Sequence, residues 1–289
     1  MPLTPLVKVI TYAFLVSTML SIGLTVTGRD IVQSLRDRRL MLKSLIANLV
    51  IVPLLGVAIV TIFQLPADIT IGILLLSIAP GGLAAIQFTS KVRESISFAA
   101  SLLFVLTVIA ILLTPIVANL LLPIEASVSL PYGKVILAVL VLVLLPLLVG
   151  FAIQHVSAKV AHVLGKPVSL LGTLAFIATV VLTLAMKQEA TKAIGGRAVA
   201  AMLILVLASM VVGWAMGGPD GGTRRVLATG TSMRNAGLCL LIALKSFPES
   251  NVDVAVVAFS SLMVPPNMLF TVYGVLRDRR ARKREGSHK

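Results

Sequence analysis

The stretch TRRVLATGTSMRNAGLCLLIALKSF, residues 223–247, decides how this chain is read. Crossing a bilayer takes about 20 apolar residues, and this stretch is long enough. Yet Arg234 stands at its centre. A guanidinium at bilayer depth costs roughly 2.5–3.5 kcal/mol on insertion scales, so protein, water or a ligand must surround it. Around the charge lie Thr229, Gly230, Thr231, Ser232 and Asn235. Glycine loosens the helix, and the hydroxyls and amide can bond to backbone groups that are freed. Irregular backbone at membrane depth is tolerated only where protein buries it or it lines a cavity. The stretch reads as a broken membrane helix.

The rest of the chain agrees. Its 289 residues are 58% hydrophobic and 12% charged, with mean hydropathy +1.05. Soluble domains run about 45–50% apolar and about 25% charged. An all-α polytopic membrane protein is expected, with nine spans at roughly 6–27, 42–64, 67–90, 95–122, 132–155, 166–186, 197–217, 223–246 and 251–276. The connections carry breakers: Gly28, Pro66, Pro123 with Pro131, Gly165 with Pro167, Gly195-Gly196, the glycines around 217–222, and Pro248. Nothing remains for a soluble domain. The chain reads as one transmembrane unit over 1–289 with a basic tail at 277–289. No cleavable signal or transit pattern opens it. Cys239, the single cysteine, rules out an intrachain disulfide.

The net charge of +14 would suggest nucleic acid in a soluble protein. Here the charges sit in short loops and the tail, as orientation signals do. One side receives eighteen basic residues, among them Arg29, Arg36, Arg38, Arg39, Lys43, Lys91, Arg93, Arg224, Arg225 and the tail. The other receives six: Lys8, Lys134, Lys187, Lys192, Arg197 and Lys245. The N-terminus is expected outside and the C-terminus in the cytoplasm, in a bacterial inner membrane. The bilayer is the expected partner and nucleic acid is not; the tail can touch anionic lipid.

A second interrupted segment lies in the third span, at Ser77-Ile78-Ala79-Pro80-Gly81-Gly82. Proline removes a backbone donor and clashes with the preceding turn. Gly/Pro-interrupted spans in both halves of a chain point to a transporter binding site. The expected crossover backbone is Pro80, Gly81, Gly82, Thr229 and Gly230. The eleven acids all fall at loops or span ends, so a proton relay through a membrane carboxylate is not expected. No Ser/His/Asp set, carboxylate pair, metal-ligand spacing or phosphate loop is present, so neither an enzyme nor a cofactor or metal is expected.

Four motifs carry a likeness to a known family: Ala79-Pro80-Gly81-Gly82, Leu113-Thr114-Pro115, Arg234-Asn235-Ala236-Gly237-Leu238, and Phe247-Pro248. In order and spacing the chain resembles the bile acid–sodium symporter family. The resemblance implies ten helices in two inverted repeats, the fourth and ninth broken and crossing, with a core domain moving against a panel domain. Nine spans fit if the first helix of that plan is absent. The repeats would cover about 1–123 and 131–276, and the broken helices would be the third and eighth spans.

The departures from that family are specific. Its sodium-coupled members carry Ser-Asn after the first broken helix's glycines, where this chain has Ala85 and Ile86. Ser and Thr of the next helix align with Ala99 and Leu103, and the shared Glu and the Gln four residues later with Gly230 and Arg234. The following Asn is kept as Asn235. Sodium needs hard oxygen ligands, which Ala, Ile, Leu and Gly lack. Bound sodium is therefore not expected.

Two readings of Arg234 follow. In one, Arg234 with Thr231, Ser232 and Asn235 binds a carboxylate or sulfonate, helped across the crossover by Gln87 and Thr89. In the other, its guanidinium replaces the sodium ion. Either way the expected function is sodium-independent transport of small organic anions by alternating access. The alternatives are a sodium-coupled symporter using Thr107, Thr229 and Thr231, and a membrane sensor without flux. His155 with His162 reads as interfacial, Lys187 and Glu189 as loop-edge charges, and Pro265-Pro266-Asn267 as a kink.

Overall fold

The computed structural model describes residues 5–29, 31–32, 37–81, 96–121 and 132–286. Among them every regular element is a helix. Helix α1 spans Pro5–Thr25. Helix α2 runs over Arg38–Phe63, and α3 over Ala67–Ile78. Helix α4 is Ile96–Leu121. Helix α5 begins at Tyr132 and ends at Val156. Helix α6 is Ala158–Met186, and the short α7 is Gln188–Ala193. Then come α8 at Gly195–Met216, α9 at Gly221–Ser232, α10 at Ala236–Ser246, α11 at Val252–Leu262 and α12 at Val264–Gly286.

Six of the described helices are long and apolar enough to span a bilayer, and this is a multi-pass membrane protein. Three predicted segments are not among the six. The third is represented by α3, which ends before Pro80, and residues 82–95 lie outside the described set. The fourth is α4, described only in part. The eighth is divided into α9 and α10.

One boundary departs from expectation. Gly165 and Pro167, read as a connection, lie inside α6, which starts at Ala158. The Ser157 hydroxyl accepts from the Val160 N–H and begins the helix there. One missing donor at Pro167 does not stop a helix that is already propagating. Pro265 and Pro266 instead sit in the first turn of α12, where a missing N–H costs least, and the ninth predicted segment kinks at Met263. Gly195 adopts φ +65°, a left-handed turn that glycine takes readily.

Two wide turns mark other prolines. Ala47–Ile51 and Leu140–Leu144 are π-helical, and Pro53 and Pro146 follow each by two residues. A proline cannot donate to the carbonyl four residues back, and widening the helix relieves the clash.

The helices pack as two groups. In the first, α1 lies against α5 and α6. A Cβ at Gly23 would stand 2.2 Å from the Leu147 carbonyl, and one at Gly150 would stand 2.4 Å from the Leu20 carbonyl. Backbones this close require glycine on both sides, the usual device of membrane helix packing. In the second group α3 packs on α11, and α8 on α9 and α2. Gly213 lets α8 approach the Leu227 backbone of α9.

Candidate functional site

Helix α3 ends at Ile78 and the chain straightens through Ala79 and Pro80. Helix α9 ends at Ser232 and the chain straightens through Met233, Arg234 and Asn235 before α10 begins. The two extended pieces meet: Pro80 and Arg234 form an antiparallel bridge, and the Asn235 N–H donates to the Ala79 carbonyl at 2.9 Å. The end of α3 is thus bonded, backbone to backbone, to the break between α9 and α10. Gly81, at φ +92°, follows directly, and a Cβ there would lie 2.6 Å from the Thr107 hydroxyl. No residue but glycine fits that position without strain.

Arg234 is buried, with 4% exposure. Its side chain turns away from solvent into a shell of neutral oxygens. Nε donates to the Leu76 carbonyl at 2.8 Å. Nη1 donates to Asn48 Oδ1 at 2.9 Å and to the Thr231 carbonyl at 3.3 Å. Nη2 donates to the Asn48 carbonyl at 3.3 Å and to the Ser77 carbonyl. A guanidinium has five N–H donors, and these five bonds use them all. The oxygens come from α2, α3 and α9, so the charge ties three helices together.

Asn48 is the residue that sequence reasoning missed. It sits in the first π-turn of α2, with 1% exposure. Its Nδ2 donates to the Ser44 carbonyl at 3.0 Å and to the Thr231 hydroxyl at 3.3 Å, which leaves Oδ1 for Arg234. The available signal was a lone amide within the apolar run 45–52.

The other predicted residues divide. Thr231 belongs to the Arg234 shell. Ser232 does not: its hydroxyl lies 2.9 Å from the Ala228 carbonyl and 2.8 Å from Asn267 Oδ1. Asn267 in turn donates to the Met263 carbonyl at 2.9 Å and so ties α12 to the end of α9. Asn235 caps α10 by accepting from the Leu238 N–H at 3.0 Å, and its Nδ2 is buried with no partner among the described residues. Gln87, Thr89, Gly82, Ala85 and Ile86, and the side chains of Ala99 and Leu103, lie outside the described set.

Beside the crossover is a cavity of about 400 Å³. Met233, Arg234, Asn235, Ala236 and Gly237 form one wall, and Ser260, Ser261, Met263 and Val264 continue it. Phe14 and Thr18 of α1 and residues 172–181 of α6 face them. The cavity lies between the two helix groups. It is mostly apolar, with few polar groups, as small-molecule sites are. The Ser260, Ser261 and Thr173 hydroxyls donate to carbonyls of their own helices, whereas the Asn235 amide on the wall has no partner among the described residues. The amino end of α10 adds partial positive charge there.

Lys187 is not a loop-edge charge. Its Nζ lies 2.7 Å from Asp253 Oδ1, and both side chains are nearly buried. The pair joins the end of α6 to the start of α11, a partnership between distant segments that sequence spacing does not show.

Comparison with known proteins identifies relatives of this chain. The chain is 26% identical over 239 residues to a probable chloroplastic sodium/metabolite cotransporter, BASS2, of Oryza sativa subsp. japonica, across 82% of this chain and 57% of that one. It is 26% identical over 172 residues to an uncharacterized sodium-dependent transporter, YocS, of Bacillus subtilis (strain 168), across 58% of this chain and 53% of that one. The chain thus spans little more than half the length of these relatives. The model of the sodium bile acid symporter family matches residues 12–194 and ends before α8, so Arg234 stands beyond it. That match covers more than half of the sequence, and the chain belongs to the sodium bile acid symporter family.

Proposed function

We propose that this chain is a secondary transporter or facilitator of small organic anions that works without sodium, the Arg234 guanidinium standing where the cation would sit. One observation carries this reading: all five N–H groups of Arg234 are held by neutral oxygens from three helices. Such a shell is what a small monovalent cation requires. A sodium ion 4 Å from the guanidinium would meet a repulsion of about 4 kcal/mol at an effective dielectric of 20.

With its donors spent, Arg234 acts on the substrate through its field. The anion would occupy the cavity between the helix groups and take its direct hydrogen bond from Asn235, with Gln87 and Thr89 across the crossover. The proposal includes nine spans in two inverted repeats, about 1–123 and 131–276, and alternating access by one helix group moving against the other. The N-terminus would be outside, with the basic tail 277–289 in the cytoplasm of a bacterial inner membrane.

A second reading, sodium-coupled symport, is favoured by the names of the relatives and by one residue here. The Thr107 hydroxyl is buried beside Gly81 with no partner among the described residues, and could serve as an ion ligand. The two readings separate in melting experiments on the purified protein in sodium, potassium or choline chloride at equal ionic strength. An ion at 100 times its dissociation constant stabilises by about 2.7 kcal/mol. The proposal expects wild type to be indifferent to sodium and Arg234→Gln to melt lower. Specific stabilisation of wild type by sodium would overturn it in favour of symport.

A further inference from the structure

A buried seam runs from the cavity to the Lys187–Asp253 pair. On α6, Val180 and Val181 line the cavity, and Lys187 follows about 9 Å further along the helix axis at 1.5 Å per residue. On α11, Ser260 lines the cavity, and Asp253 precedes it by about 10 Å on the same rise. Helix α1 closes the third side. Its register on α6 is antiparallel: Phe14 meets Phe176 with ring centroids 5.1 Å apart, and Thr18 meets Gly172. Continuing that register sets Thr11 level with Thr179. Thr183 lies one turn beyond, and Lys187 one turn beyond that.

The seam holds polar atoms with nothing to bond. The hydroxyls of Thr11, Thr179 and Thr183 and the Oδ2 atom of Asp253 are buried without a hydrogen-bond partner among the described residues. Helical threonines elsewhere in this chain donate to the carbonyl four residues back, as Thr25, Thr61, Thr173 and Thr271 do. An unsatisfied buried polar group carries its full desolvation cost. Valine or alanine would fill a permanent packing interface without that cost. Groups that water or solute meets in another state have a reason to be polar.

We infer that this seam is a second access route to the crossover cavity, shut here by the Lys187–Asp253 ion pair acting as a latch. The pair has the right position. Lys187 ends α6 of the first helix group, and its Nζ bonds Asp253 Oδ1 at 2.7 Å and the Ser250 carbonyl at 3.0 Å, both in the second group. It also has the right chemistry. A buried ion pair adds little stability over an apolar pair of the same size, but its two halves are soluble once parted. Such a contact can be lost and regained as the groups move. Opening would give water to Thr183, Thr179 and Thr11 in turn.

The test uses cysteine accessibility. Thr183→Cys is made in a Cys239→Ala background, and labelling of the purified protein by a bulky hydrophilic maleimide is timed. With the pair intact the thiol should label slowly. Adding Asp253→Asn should raise the rate about tenfold or more, as expected when a two-state equilibrium loses a closing contact. The charge swap Lys187→Asp with Asp253→Lys should restore protection. Cys239, fully buried in the core, reports on the fold: carrying Asp253→Asn alone, it should stay unlabelled. An unchanged rate at position 183 would overturn the inference. So would exposure of Cys239, because the pair would then hold the fold rather than a route. Neither result bears on sodium dependence, which is read separately in the melting experiments.

Discussion

Replacing Arg234 by alanine should convert the protein into one that binds a free cation. The substitution removes five charge-assisted hydrogen bonds and leaves the carbonyls of Leu76, Ser77, Thr231 and Asn48, with Asn48 Oδ1, facing a void. Each such bond is worth roughly 1.5–3 kcal/mol. The total is not their sum, because the cost of burying the cation disappears with it. Each neutral acceptor left buried and unsatisfied costs about 1–3 kcal/mol, and with water in the void taking part of this back a net loss of about 3–5 kcal/mol in stability is expected. Guanidinium carries the same donors as the missing side chain and should fill the void. At 100 times its dissociation constant it would return about 2.7 kcal/mol, half or more of the loss. Sodium should return less, since the shell is spread for a planar group, and choline, with a bulky trimethylammonium head and no N–H donor, should return nothing. The assay is melting in detergent at low guanidinium concentration, with wild type as the control for its denaturing effect. If Arg234→Ala responds to guanidinium no better than wild type does, these oxygens are not a cation shell and the reasoning fails.

Two further outcomes are expected. Gly23→Ala should destabilise by about 3 kcal/mol, the upper end of overpacking costs, because the new methyl meets the Leu147 backbone rather than a side chain that can turn aside; Gly133→Ala, with open space around it, should melt like wild type. Asp220 caps α9, and its carboxyl is held below its ordinary value chiefly by the Thr223 backbone N–H. A depressed folded pKa gives stability that is full above the unfolded value and lost as pH falls through the folded one, so an acid melting series should show a step that Asp220→Asn removes.

Much of this was legible in the sequence because a bilayer leaves few choices. Apolar length gave the helices, and Pro80 with Gly81 marked the break at 79–81. The second break falls at 233–235, past Thr229 and Gly230, which were expected at the crossover but lie inside α9 because a lone glycine does not stop a helix that protein surrounds. The partners of Arg234 were not legible. Four of its five acceptors are backbone oxygens, and any residue type presents a carbonyl. The fifth, on Asn48, lies 186 positions away in a segment whose π-turn no apolar pattern marks. Lys187 was misread for a related reason. Its charge lies at a helix end, where solvation is the ordinary outcome, and only the packing of α6 on α11 encloses it with Asp253. Ser232 shows the reverse error: it stands in the broken segment but faces Asn267, because the last helical turn of α9 still sets its direction.

On the proposed reading, a tethered cation changes the energetics of transport in a definite way. A bound sodium ion enters on one side and leaves on the other, so its gradient does work in every cycle. A guanidinium fixed to the segment between α9 and α10 makes the outward and the return journey, and the membrane field does no net work on it. What it changes is the distribution of work between half-steps. With a monoanion in the cavity the site is near neutral and crosses the field at little cost; empty, it carries the positive charge back. The net charge moved per cycle remains that of the substrate, worth about 2.3 kcal/mol per charge per 100 mV. In a cell with a negative interior that term favours movement of the anion outward. Uptake would need an inward anion gradient larger than this, or exchange against a second anion, and neither requires sodium.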